Sequence, residues 1–202
     1  MSDGRDMILQ ALAKTKLPQT PLPQLVLPAW TADLLASFTE KAKASAAQVY
    51  AIPSADDAPW RIVEILRERR APLQLHIPAE SPLNKLPWHT AGELMLSAAP
   101  PSGEQAALAA ADHGIAETGT LVFFSSPQSY SSWHFRPGRE FILIDKSCIL
   151  PRFEDVISRI EPARAMPATL NLVTGPSRTA DIEQTIEMGA HGPREVHILI
   201  TG

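Results

Sequence analysis

Apolar positions recur along this chain in two periods, near 3.6 and near 2, and the places where one gives way to the other predict the elements. Met7 to Lys16 reads as a short helix with Ile8, Leu9 and Leu12 on one face, and Ala32 to Ala46 as a second with Leu34, Leu35 and Phe38. Gln48 to Ile52 is strand-like. Asp57 caps a helix that tolerates Pro59 in its first turn and carries Ile62, Ile65 and Leu66 at helical spacing. Leu73 to Ile77 and Glu93 to Ala98 read as strands, and the alanine-rich run Gln105 to Ala111 as a small helix. Gly114 to Ala116 and Thr120 to Phe124 flank Glu117-Thr118-Gly119 and predict a hairpin or sharp bend. Phe141 to Asp145 is a buried strand, and Pro151 opens a helix striped by Phe153, Val156, Ile157 and Ile160. Strand Leu170 to Thr174, helix Ala180 to Met188 (ended by Gly189) and strand Val196 to Thr201 then predict a right-handed β-α-β unit. The sum is an α/β protein with an open, mostly parallel sheet and an inserted β-hairpin.

Proline and charge refine this picture. Prolines number 19 of 202 residues. Pro18, Pro21, Pro23 and Pro28 make the segment after the first helix an extended arm, a linker or a clasp onto a second copy of the chain. The expected division is 1–30, helix and arm, then 31–202, the α/β domain. A net charge of −4 argues against a nucleic-acid partner. No apolar run reaches the roughly 20 residues of a membrane span, and the first residues do not read as a secretory leader, so a cytoplasmic location is expected. Cys148 is the single cysteine and cannot form an internal disulfide or, alone, hold an iron–sulfur cluster. His113 with Asp112 and Glu117 lacks compact metal spacing, and no G-x-G-x-x-G turn is present; no cofactor or metal is expected in the chain itself.

Two segments concentrate candidate chemistry. In Thr174-Gly175-Pro176-Ser177-Arg178-Thr179-Ala180-Asp181, a glycine-proline turn feeds the predicted helix. Unpaired N–H groups, the Ser177 and Thr179 hydroxyls and the Arg178 fork would together receive a carboxylate or phosphate. Asp181 in the first turn favours a mono-anionic ligand over a highly charged one. In Glu117-Thr118-Gly119-Thr120 a carboxylate stands beside a glycine turn, as a general base, a nucleophile or a plain turn residue. His191 belongs at the opposite sheet edge from Ser177, as a loop-fixing or subunit-contact residue. His76 and His197 lie inside strands, as core or edge histidines. The serine-rich run Ser125 to Ser132 reads as a linker or a lid.

Ile115-Ala116-Glu117-Thr118-Gly119-Thr120, Gly175-Pro176-Ser177-Arg178-Thr179-Ala180-Asp181-Ile182-Glu183 and Gly189-Ala190-His191-Gly192-Pro193, in this order and separation, resemble the LUD-domain family. The resemblance implies a Rossmann-like sheet of the phosphosugar isomerase and CoA-transferase group. It also implies a part in oxidising L-lactate to pyruvate beside partner subunits that carry the iron–sulfur clusters. The site it suggests joins Glu117, Thr118, Gly119 and Thr120 to Gly175, Pro176, Ser177, Arg178, Thr179 and Asp181. Two rivals remain: an enzyme acting alone on a phosphorylated or CoA-linked metabolite through Glu117, and a non-catalytic binding or regulatory module. One position departs from the family. A Leu-Pro-x-x-His-Ile pattern is expected before the strand at Phe141, and here Glu140 stands in the histidine's place, with His134 six residues earlier.

Overall fold

A computed structural model of the chain describes residues 3–14, 26–126, 130–160, 167–180, 186–188 and 192–202. The chain divides into two units, Met1–Thr31 and Ala32–Gly202. The first contains helix α1, Asp3–Lys14. Most of the proline-rich arm, 15–25, lies outside the described residues. No helix among those described is long and apolar enough to cross a membrane.

The second unit is built on a six-stranded, wholly parallel sheet in the order β1-β12-β7-β4-β2-β3. These strands are β1 Gln48–Ile52, β2 Gln74–His76, β3 Met95–Ser97, β4 Ala106–Ala110, β7 Arg139–Asp145 and β12 Glu195–Thr201. Helix α2, Leu34–Ala44, starts where the Asp33 carboxylate accepts the Ala36 N–H at 2.7 Å. Helix α3, Ala58–Glu68, starts with Pro59 in its first turn. It buries Ile62, Ile65 and Leu66 in one cluster with Leu75, Leu108, Phe141 and Leu199 of the sheet. A strand alternates its side chains between faces, so Glu140, Ile142 and Ile144 of β7 project to the other side.

There a four-stranded sheet, β8-β5-β6-β9, supplies the second layer. It comprises β5 His113–Ile115, β6 Thr120–Phe124, β8 Ile149–Leu150 and β9 Leu170–Val173; helix α4, Phe153–Arg159, packs Val156 against Ile115, Val122 and Leu150. β5 and β6 form the expected hairpin, in register His113↔Val122 to Ile115↔Thr120. The parallel α/β class is thus as read from the sequence, and the hairpin belongs to a sheet of its own.

Three elements differ from expectation. The run at 105–111 is the central strand β4, not a helix. Alanine's helix propensity, a fraction of a kcal/mol per residue, loses to ladder bonding on both sides, against β7 and β2. The β-α-β unit at 170–201 is absent: β9 pairs antiparallel with β6, while β12 lies between β1 and β7 in the large sheet. Where a helix Ala180 to Met188 is expected, the described residues form strands β10 Arg178–Ala180 and β11 Ile186–Met188, antiparallel in register Arg178↔Met188 to Ala180↔Ile186. The apolar spacing there suits a helical stripe, but ladder pairing takes the backbone bonds instead.

Candidate functional site

The two chemistry-bearing segments meet. Pairing of β6 with β9 sets Leu121 opposite Val173, which brings Thr120 beside Thr174. Their hydroxyl oxygens lie 2.7 Å apart, and Thr118 Oγ1 lies 2.7 Å from Thr120 Oγ1, so three hydroxyls form a chain across the junction. Both glycines touch the C-terminal turn of α2. A Cβ on Gly119 (φ +69°) would lie 2.3 Å from the Ala42 nitrogen, and one on Gly175 (φ +76°) 2.1 Å from the Ser45 oxygen. Only glycine permits both the left-handed backbone and that approach.

The groups around this junction are largely engaged. The Ser177 N–H donates to the Pro193 oxygen at 2.8 Å, the Gly119 N–H to Ile115 and the Glu117 N–H to Pro151. Glu117 is half exposed, 3.9 Å from Arg152 Nε. Pro176 is buried, while Thr118 and Arg178 are exposed. Since β10 replaces the expected helix, no helix dipole focuses charge on Gly175 to Thr179. The side chain of Thr179, together with Asp181 and His191, falls outside what is described.

A cavity of about 470 Å³ opens elsewhere, between the two sheets. Its floor is β4, where Ala107 and Ala109 lack the bulk to fill the gap, and its wall includes Trp133, Phe124 and Ser125. None of Glu117, Thr118, Gly119, Thr120, Gly175, Pro176, Ser177 or Arg178 lines it. Among its ionisable groups two are buried and bond to each other: His134 Nδ1 lies 2.6 Å from Glu140 Oε1, both side chains 1% exposed. The geometry follows from local structure. The 3-10 turn Ser131–His134, with the Trp133 N–H donating to Tyr130 O at 3.0 Å, carries the chain back before Pro137-Gly138 enters β7. His134 therefore hangs over the second residue of β7, its ring centroid 4.0 Å from that of Phe123 on β6.

Burial pushes the Glu140 carboxyl above its usual range, and the His134 hydrogen bond and charge pull back only part of the way. Among the described residues His134 Nε2, Glu140 Oε2 and His113 Nδ1 have no hydrogen-bond partner. Buried polar atoms without partners are uncommon in folded proteins and point to a ligand or ordered water. Arg159, exposed, and Asp112, whose Oδ2 accepts the Phe124 N–H at 2.7 Å, flank the mouth. Among the described residues no group of three or more His, Cys, Asp or Glu side chains converges on a metal position. Sequence reasoning noted both Glu140 and His134 and missed that they meet. The available signal was a glutamate in the histidine's place, with an imidazole one turn and a Pro-Gly bend away.

Comparison with known proteins supplies the relatives. The LUD domain model matches residues 104–201. Lactate utilization protein C of Geobacillus kaustophilus is 35% identical over 99 residues, 46% of this chain and 41% of that one. Its namesake in Halalkalibacterium halodurans is 34% identical over 119 residues, 55% of this chain and 50% of that one. The matches thus span at most about half the length of these curated relatives. A crystal structure of a DUF162 family protein from Deinococcus radiodurans superposes with a TM-score of 0.61, covering 87% of this chain and 100% of that one at 19% identity, a likeness of fold. Residues 104–201, which carry the hairpin, the Glu117 turn and both members of the buried pair, are thus similar to the LUD domain.

Proposed function

We propose that this chain is a ligand-binding component of a lactate-utilizing system and holds a small organic acid, while iron–sulfur-bearing partner subunits take the electrons. The single observation that carries the reading is the cavity: residues 104–201, matched by the LUD domain model, form most of its lining, with buried unpaired polar atoms in the lining residues and the Arg159 cation at its mouth. A guanidinium at the opening of the pocket suits one carboxylate, through paired charge-assisted bonds. Oxidation of lactate to pyruvate releases two electrons, and a chain with one cysteine needs another subunit to receive them into a cluster.

A second location for the acid is the loop junction, where the Thr118, Thr120 and Thr174 hydroxyl chain lies in the same region as Arg178. Calorimetric titration of the protein with L-lactate and pyruvate tests both. Arg159→Ala is expected to weaken binding about tenfold or more, as loss of a charge-assisted pair of ~1.5–3 kcal/mol implies. Loss of binding in Arg178→Ala with Arg159→Ala unchanged would move the site to the junction. Absence of any binding to the wild-type chain, alone or with its partners, refutes the reading.

A further inference from the structure

We infer that the cavity is built for a 2-hydroxy or 2-oxo acid bulkier than lactate, with the His134–Glu140 pair gripping the 2-oxygen and an apolar or aromatic tail lying against Trp133 and Phe124. The inference rests on the organic-acid reading above and narrows it to a class of acid.

Volume comes first. At roughly 30 Å³ of liquid per water, a space of about 470 Å³ corresponds to about fifteen waters, and a three-carbon acid displaces about four of them. Lactate alone leaves most of the cavity to solvent, whereas pockets of this size ordinarily enclose ligands with several times its atoms. The lining agrees. Trp133 is 6% exposed, and Phe124 meets the His113 ring edge-on at 5.8 Å. Tyr130 stands half-exposed at the entrance, and Ala107 and Ala109 leave the floor flat. Aromatic faces over a floor of methyl groups bind a ring or branched alkyl group, and give a methyl group little to hold.

The polar end is equally restrictive. Glu140 occupies one imidazole nitrogen of His134, which fixes the ring; His134 Nε2 and Glu140 Oε2 are buried without a partner in residues that line the cavity. With Nδ1 and Oε1 at 2.6 Å, one proton serves both groups. The pair can thus donate to a carbonyl oxygen or accept from a hydroxyl, which matches the 2-oxygen in either oxidation state. Burial raises the Glu140 carboxyl pKa, which favours its protonated form beside the imidazole. Arg159 supplies the cation for the carboxylate, and Asp112, its nearest rival for charge at the mouth, already spends one oxygen on the Phe124 amide.

The probes are phenyllactate, phenylpyruvate, L-lactate and pyruvate, titrated into the wild-type protein and followed by calorimetry. The aromatic acids are expected to bind at least tenfold more tightly than their three-carbon counterparts. Trp133→Ala should reduce that ratio to about twofold, with Trp133→Phe retaining most of it. Glu140→Gln should weaken aromatic and three-carbon acids alike by about tenfold. Equal or tighter binding of the three-carbon acids overturns the inference and leaves the organic-acid reading standing; failure of all four acids to bind overturns both. A tenfold preference that survives Trp133→Ala in a protein shown folded by its thermal transition also overturns it. The wild-type ratio requires no variant to fold.

Discussion

The buried His134–Glu140 pair allows the sharpest test, because its two members differ in what their removal leaves behind. Replacing His134 by Leu abandons a carboxyl group at 1% exposure with no imidazole to share its proton. Breaking a buried pair in this way costs about 3–5 kcal/mol. Glu140→Leu leaves an imidazole without its carboxyl partner, so the loss is one unsatisfied donor or acceptor, about 1–3 kcal/mol. The double variant removes both polar groups and fills the space with apolar volume, and is expected within about 1 kcal/mol of wild type. Summed single losses therefore exceed the double loss by several kcal/mol, far beyond the ~0.3–0.5 kcal/mol of independent sites. The sign of the pH effect follows from the carboxyl. Its folded pKa is raised above the ordinary 4.5 by burial. That contribution is fully present below 4.5 and is lost as pH rises through the folded value. His134→Leu removes the imidazole that restrains the shift, so its cost is expected to be larger at pH 8 than at pH 5. Urea unfolding of the four proteins at both pH values measures all of this. Additivity of the two single losses within about 0.5 kcal/mol would refute the coupling, and with it the reading of the pair as one unit. A stable double variant that no longer binds acids would separate folding from function in the same experiment.

Two further outcomes are expected. Gly119→Ala and Gly175→Ala each force a left-handed residue with a Cβ into the α2 backbone. Strain of ~1–2 kcal/mol plus overpacking of ~1–3 kcal/mol gives a loss of roughly 3 kcal/mol, a fall of about 6–12 °C in Tm; a change under about 2 °C in calorimetric scans would contradict the packing. His197 is buried between Tyr50 and Phe141, and burial pushes it down to about 4 although Glu195 pulls it up. The neutral ring therefore contributes stability that is whole above the unfolded 6.5 and lost as pH falls toward 4, about 3 kcal/mol in all. His197→Phe should flatten stability over that window in acid-unfolding curves, and an unchanged slope would exclude His197 as the titrating group.

Much of the frame was legible because it depends on local period. The stripe Ile62, Ile65 and Leu66 made α3, the continuous apolar run Phe141 to Ile144 made β7, and Glu117-Thr118-Gly119 turned the β5–β6 hairpin. These signals are carried by residues a few positions apart, and tertiary packing only confirmed them. Where propensity and pairing competed, sequence misled. Alanines 106 to 110 favour a helix by fractions of a kcal/mol, but two neighbouring strands claimed their backbone groups. Ala180 to Met188 reads as a helix from sequence, but Ile186 to Met188 pairs with Arg178 to Ala180 as a ladder partner. The same non-local choice created the cavity, since alanines on β4 leave a hollow that larger strand residues would close.

The sequence by itself determined the α/β class, the resemblance to the LUD-domain family, and the Glu117 and Gly175 turns, whose glycines carry their conformational requirement with them. Only the tertiary structure decided that Gly175 to Thr179 leads into a strand, and that Glu140 and His134 share a proton inside a cavity. The physical reason is that backbone pairing and desolvation are set by what other parts of the chain bring within a few ångströms. An imidazole six residues from a carboxylate has no defined partner until a 3-10 turn, a proline bend and two packed sheets exclude water from both.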